Sequence, residues 1–504
     1  MPLPGNTDTS FGARHQRHRP EQTLLYQLVE RYYPEFVRLM VFQGSPLPHY
    51  VTQEFDAFLK CGRLEHGFLR VRCESCHAEK LVAFSCKRRG FCPSCGARRM
   101  VDSAVLLVDE VLPKVPLRQW VLSVPFQLRF LFASYPALMG KALGIVYRTL
   151  ATWLIHQAGF THTTARTGAV TFIQRFGSAL NLNVHFHILF LDGVYITRAN
   201  SIEPHQVFRR VNAPTKADLE LLLHRISTRV ARFLVKEGIL EQDCDNSYLN
   251  LEHLEDNPLR QVHGHSITYR VAVGPQQGKK VFTLQTLLPR DEDDRFSQVA
   301  KAGGFSLHAG VATQVHQRKK LERICRYVAR PAVSEKRLAL TKDGRVRYEL
   351  KTPYRDGTTH VIFEPLDFMA RLAALVPKPR VNLTRFHGVF APNSKHRMII
   401  TPAKRGKGAR KKAEHDAEDR TPMEQRAAMT WARRLKRVFN IDITECELCQ
   451  GPVKIIACIE DPTVIKKILD HLKTKESRQE SSSTGLPPLR GPPLLPGWNQ
   501  GPSD

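Results

Sequence analysis

The 504-residue sequence contains no unbroken apolar run suited to crossing a bilayer. Trp120–Phe132 is interrupted by Pro125 and Arg129, and Ala137–Ala158 by Lys141 and Arg148. Residues 1–20 hold Pro, Gly, His and Arg but no apolar segment of the kind a secretory leader needs. No lipid-surface helix or lipidation signal is present. These absences argue against a membrane partner and set the expectation of a soluble, cytoplasmic protein. Acidic residues are also scarce: 48 Asp+Glu face 75 Lys+Arg, a formal charge of +27. Such an excess suits a polyanionic partner, DNA or RNA, better than a solubility effect or a membrane surface.

What is present begins with 11 cysteines, an odd number that favours reduced thiols and metal over disulfides. Cys73-x-x-Cys76 and Cys92-x-x-Cys95 are separated by fifteen residues, the spacing of a zinc ribbon. The expected ligands of a structural Zn²⁺ are therefore Cys73, Cys76, Cys92 and Cys95, four thiolates that leave no open position. Cys61 and Cys86 are further ligand candidates, read more simply as small side chains. Arg88, Arg89, Arg98 and Arg99 surround the second knuckle, where they could grip phosphates. A third knuckle, Cys446-x-x-Cys449, supplies half of a second zinc site, with Cys458 and His471 as candidates to complete it.

Asn183–Asp192 has the alternation of a strand with one apolar face, Val184, Phe186, Ile188 and Phe190. His185 and His187 then point the same way, a pairing that suits a divalent metal. Val170–Phe176 reads as a neighbouring strand on which Gln174 faces inward, a candidate third ligand through its side-chain oxygen. Asn183 competes for that role, and a buried hydrogen bond is the plainer explanation of Gln174. Further on, Leu321, Ile324, Cys325 and Val328 form one helical stripe that Pro331 ends. Tyr327 lies at its margin among Lys320, Arg323, Arg326 and Arg330. Beside a metal-binding histidine strand this tyrosine is a candidate nucleophile towards a phosphodiester. Elsewhere, helices are expected over residues 21–60, 101–111, 137–158, 213–238 and 365–376. Strands are expected at Ser266–Val273, Lys280–Leu288, Arg345–Glu349 and Thr359–Glu364.

The sequence resembles the rolling-circle transposases of the insertion sequence ninety-one type, nearest to their single-tyrosine common-region relatives. The likeness rests on Ser85–Arg99, Gln119–Phe126, His185-Phe-His187, Leu307–Gly310, Arg326–Pro331 and Phe386–Lys395, in that order. It implies an α+β protein built on a central antiparallel sheet of HUH-endonuclease type. It further implies His185 and His187 as ligands of catalytic Mg²⁺ or Mn²⁺, and Tyr327 as the residue that takes the 5′ phosphate of a nicked single strand. Element ends and target DNA would be its partners, with room for self-association and host replication proteins, in a bacterial cytoplasm and on the nucleoid when DNA-bound. Founding members carry a second tyrosine one helical turn earlier, where this chain has Arg323. The rival readings are a non-catalytic zinc-dependent DNA-binding protein and a plasmid replication initiator or relaxase-type nickase.

The organisation expected on this basis is a disordered start at 1–20 and a zinc-binding domain at 21–110. The nuclease domain follows at 111–335, with an insertion at about 213–300, then a family-specific α/β DNA-binding extension at 336–400. A basic linker at 401–425, a C-terminal helix and knuckle at 426–472 and a disordered tail at 473–504 complete it.

Overall fold

Side chains alternating along Leu182–Leu191 divide between two cores, and the architecture follows from that division. The computed structural model describes residues 19–197, 206–242, 247–250, 257–289, 299–404 and 445–483. Val184, Phe186, Ile188 and Phe190 enter the larger core with residues of helices Phe126–Ser134, Pro136–Gln157 and Lys216–Lys236. On the opposite face, that of His185 and His187, Leu189 and Leu191 join a second core with Leu321, Cys325 and Val328. Helices thus cover both faces of one sheet, because each face carries its own apolar row.

The sheet has six strands in the order Val299–Ala302, Phe305–Thr313, Leu117–Ser123, Leu182–Leu191, Gly168–Phe176 and Thr384–Gly388. Every pairing is antiparallel, so the protein has the α+β character expected. The histidine strand is interior and bonded along both edges, which fixes the direction of its side chains. Its register sets His185 opposite Gln174 on one side and Ser123 on the other. Near the far end, the Arg118 guanidinium forms a two-pronged ion pair with Asp192 at 2.8 and 3.0 Å and donates to Ala309 O at 2.9 Å. Both partners are buried, so one charge group ties three adjacent strands together.

Several expected elements appear with small shifts: helices Leu24–Phe42, His49–Lys60, Lys216–Lys236 and Pro365–Leu375, and the paired strands Val346–Glu349 and Thr358–Phe363. Thr384–Gly388, placed by sequence in an extension beyond the nuclease domain, is the edge strand of the same central sheet. The strand expected at Ser266–Val273 is absent: Arg260–Ile267 is helical instead. Buried Arg371 explains this, since it donates to the carbonyls of Ser266 and Arg270 while Ala272 N donates to Asp367. Of the expected pairing the structure keeps the bridge of Arg270 with Lys280, with Val271 N donating to Lys279 O and Val281 N to Tyr269 O. The second of that pair survives as Phe282–Gln285, bonded to Thr358–Phe363. The tail expected to be disordered from residue 473 is helical through Ser483, as part of Pro462–Ser483. The basic linker from residue 405 and the basic helix before Cys446 lie outside the described residues.

The amino-terminal ribbon takes a partner from the other end of the sequence. Phe68–Cys73 pairs with Glu79–Ala83 on one edge and with Val453–Ile459 on the other. Ile465, on the helix that follows, is buried against Leu64 and Phe68.

Candidate functional site

Four thiolates around zinc, at a Zn–S distance of about 2.3 Å, stand about 3.8 Å apart. Two groups of cysteines meet that requirement, and neither is the set of four expected from spacing. Cys61, Cys86, Cys92 and Cys95 form one, with Sγ separations of 3.4 Å for Cys86–Cys95, 3.7 Å for Cys61–Cys95 and 3.8 Å for Cys61–Cys92. Cys73, Cys76, Cys446 and Cys449 form the other, with Cys73–Cys449 at 3.4 Å and Cys76–Cys446 at 3.5 Å. The two neighbouring knuckles therefore do not share an ion. Pairing of Phe68–Cys73 with Val453–Ile459 delivers the distant knuckle to the first, and Cys61 and Cys86 complete the second. A Cβ on Gly451 would stand 2.8 Å from Ser75 Cβ and 3.2 Å from Cys73 Sγ, so only glycine lets the two knuckles close. Cys458 belongs to neither group and donates to Glu460.

Arginines expected on DNA are partly spent inside. Glu54 is buried and accepts from Gly90 N at 2.6 Å, and burial raises its pKa against the pull of Arg88, Arg99 and Arg89. Arg89 donates to Val381 O at 2.5 Å, and Arg99 to the carbonyls of Arg88 and Lys87. These bonds hold the loop around the second knuckle, and Arg88, Arg89, Arg98 and Arg99 are all half-buried.

That knuckle opens the helix Pro93–Leu106, which packs on the helix Arg318–Val328 that carries Tyr327. A Cβ on Gly96 would stand 2.7 Å from Pro331 Cβ, so the two elements meet at a glycine. At the start of the tyrosine helix, Arg318 donates to the carbonyls of Val108, Leu112 and Pro113. Leu321, Cys325 and Val328 then seat it on the histidine face of the sheet. The helical stripe seen in the sequence is what aims Tyr327.

As a result the Tyr327 ring meets His187 edge to face, with centroids 6.2 Å apart and planes at 89°. His185 and His187 are 5.0 Å apart. Tyr327 is 43% exposed and reachable from solvent, whereas His187 beneath it is buried and His185 half-buried. The cations of Arg330 and Lys351 each lie 4.3 Å from its ring centre. Arg323 is exposed one turn earlier; Lys320, Arg326 and Arg330 are half-buried. Tyr348, another phenol in this region, is fully buried and accepts from Ser334 N.

Both imidazoles are neutral near pH 7. Burial, with Arg330 and Arg129 nearby, lowers His185 to about 4; burial, His185 and Arg330 lower His187 to about 3. His185 Nδ1 donates to Asn183 O at 2.9 Å, leaving Nε2 with a lone pair. His187 Nε2 is buried without a hydrogen-bond partner, and its Nδ1 lies 2.9 Å from the Gln119 amide. Turning that amide to present oxygen would place the proton on Nδ1 and free Nε2 for a metal, the usual arrangement behind a ligating histidine. Sequence reasoning missed Gln119; its signal was a buried amide beside Trp120 in an otherwise apolar strand. Lys351 gave none, because it lies in a loop far along the chain. Gln174 stands across from His185, but its Nε2 donates to Val328 O at 3.3 Å. Asn183 Oδ1 is buried with no partner. Two neutral imidazoles with an orphaned ring nitrogen and nearby amide oxygens fit a divalent cation.

By fold and site the chain is a basic α+β protein braced by thiolate metal centres. A family described as transposase zinc-binding domain matches residues 28–124, and one described as putative transposase matches residues 168–397. The first holds the ligands Cys61 to Cys95, and the second holds both histidines and Tyr327; Cys446 and Cys449 lie outside both. No curated protein and no solved structure matches the chain. The chain belongs to the transposases of the insertion sequence ninety-one type, with DNA as partner and Zn²⁺ in a structural role. Among the described residues, no helix is long and apolar enough to cross a membrane.

Proposed function

We propose that this transposase nicks single-stranded DNA at the ends of its element, with Tyr327 as nucleophile, and moves the strand by rolling-circle transposition. The supporting observation is the approach of an exposed phenol to a neutral histidine pair, His187 buried and His185 half-buried, across a long intervening sequence. The Tyr327 oxygen attacks the scissile phosphorus, and the bond from phosphorus to the 3′ oxygen breaks. The 5′ phosphate stays on Tyr327; the 3′ oxygen leaves as a hydroxyl, balancing the proton the phenol gives up. Arg330 and Lys351 flank the ring and supply counter-charge to the phosphodiester. Mg²⁺ or Mn²⁺ held by His185 and His187 would polarise the scissile phosphate. An amide oxygen, from Gln174 or Asn183, would occupy a third position. Arg330, with Lys320, Arg323 and Arg326 on the same helix, would bind the strand's backbone.

Tyr348 is buried and the half-buried Tyr354 accepts from Ser178 Oγ at 3.4 Å, so Tyr327 serves as the one nucleophile of each site. The released 3′ hydroxyl, or the tyrosine of a second protomer, would then complete strand transfer.

The test is a labelled single-stranded oligonucleotide carrying an element end, incubated with Mg²⁺ or Mn²⁺. The wild-type protein forms a covalent adduct; Tyr327→Phe forms none, and His185→Ala with His187→Ala loses both adduct and divalent-metal binding. An adduct that persists in Tyr327→Phe removes that residue from the role. DNA binding with no adduct in the wild type leaves a non-catalytic binding protein.

A further inference from the structure

The segment Phe386–Lys395 carries no step of the cleavage just described, yet it lines a cleft of ≈ 650 Å³ on another side of the molecule. Its walls include Arg148 and Thr152 of the helix Pro136–Gln157, Arg166 of the short strand Ala165–Arg166, and Asn393, Ser394 and His396. No carboxylate lines it. Burial, with Arg166 and then Lys395 nearby, lowers the pKa of His396, so two permanent cations stand beside a neutral imidazole. None of the described ion pairs involves Arg148, Arg166 or Lys395.

The floor is rigid. Tyr147 stacks between Phe190 at 5.6 Å and His387 at 4.9 Å, and its hydroxyl donates to Thr167 O at 3.3 Å. Gly388 adopts φ +59°, and a Cβ there would collide with Thr167 O and the Tyr147 hydroxyl. Phe190 points away from the histidines, so the cleft lies on the opposite face of the sheet. From Gly168, beside the cleft, to Gln174, across from His185, the strand advances six residues, about 20 Å.

We infer that this cleft is a second subsite for the backbone of single-stranded DNA, holding phosphates of the strand whose nick site lies at Tyr327. The inference rests on the proposed cleavage reading. Because the DNA must also pass round the sheet from one face to the other, more than about six nucleotides, at a stacked spacing of about 3.4 Å per phosphate, separate the two sites. Arg148 and Arg166 pair with phosphates, and Thr152, Asn393 and Ser394 supply neutral donors.

The test uses fluorescent oligothymidylates, one of about five nucleotides and one of about twenty, with the full chain. Arg148→Ala with Arg166→Ala should weaken the long strand about tenfold and lower its salt slope by about 1.4, leaving the short strand unchanged. Arg148→Lys with Arg166→Lys should keep long-strand affinity. Equal loss on both strands, no loss on the long one, or loss that persists in the lysine variant overturns the subsite. So does an equal loss from Lys466→Ala with Lys467→Ala on the C-terminal helix, which would mark general charge. Adduct formation at Tyr327 is scored separately on an element end. Its presence with unchanged long-strand affinity rejects the cleft alone. Its absence in the wild type, with selective long-strand loss retained, rejects cleavage alone.

Discussion

His263 shows how one imidazole can set the acid limit of a core. It is 1% exposed, with Nδ1 near Ser134 Oγ and Asn257 Nδ2 and with Nε2 unpartnered. Burial, with the charges of Arg175 and Lys378, lowers its pKa to about 3. Its folded pKa lies below the ordinary value of about 6.5, so the unfolded chain binds the extra proton in between. Stability is whole above pH 6.5 and falls as pH drops towards 3. At pH 5 the loss is about 2 kcal/mol. Urea unfolding of wild type and His263→Gln at pH 7 and pH 5 should show that extra loss in the wild type only. Identical pH dependence in the two proteins would mean the imidazole is already charged, or solvated, in the fold.

The elements that carry the site were legible because each is written in a local period. The histidine strand alternates from Asn183 to Ile188, and the stripe Leu321, Cys325 and Val328 states which way Tyr327 must turn. Their meeting was not legible, because it depends on Arg318 reaching the carbonyls of Val108, Leu112 and Pro113. The cysteines failed for a related reason. Every Cys-x-x-Cys knuckle offers the same two thiolates, so spacing finds knuckles but not partners, and only the strand register selects Cys446 and Cys449 for Cys73 and Cys76. Arg118 and Asp192 belong to this scale as well, since they fasten the histidine strand to its neighbours. Asp192→Ala would leave a buried guanidinium without its counter-charge, a loss of about 3–5 kcal/mol. Chemical denaturation reads it directly, and a cost within the range of a surface pair would show that water reaches Arg118.

At the scale of the whole molecule the two thiolate centres have different jobs. The centre of Cys61, Cys86, Cys92 and Cys95 opens the helix that abuts the tyrosine helix, whereas the other joins distant parts of the sequence. Metal analysis should find two zinc ions per chain. Cys446→Ser with Cys449→Ser should leave one, with adduct formation retained. Cys92→Ser should also cost one ion, but lower adduct formation on the order of a hundredfold, since a small displacement of the tyrosine helix misaligns the phenol. Equal effects of the two variants would reject this division of labour.

The strand pairing of Phe68–Cys73 with Val453–Ile459 also has a consequence in time. A chain leaving the ribosome exposes Cys73 and Cys76 hundreds of residues before their partners are translated. For that interval the early knuckle offers an ion only two sulfurs and one edge of its strand stays bare, so the first-made part of this protein is among the last to be finished.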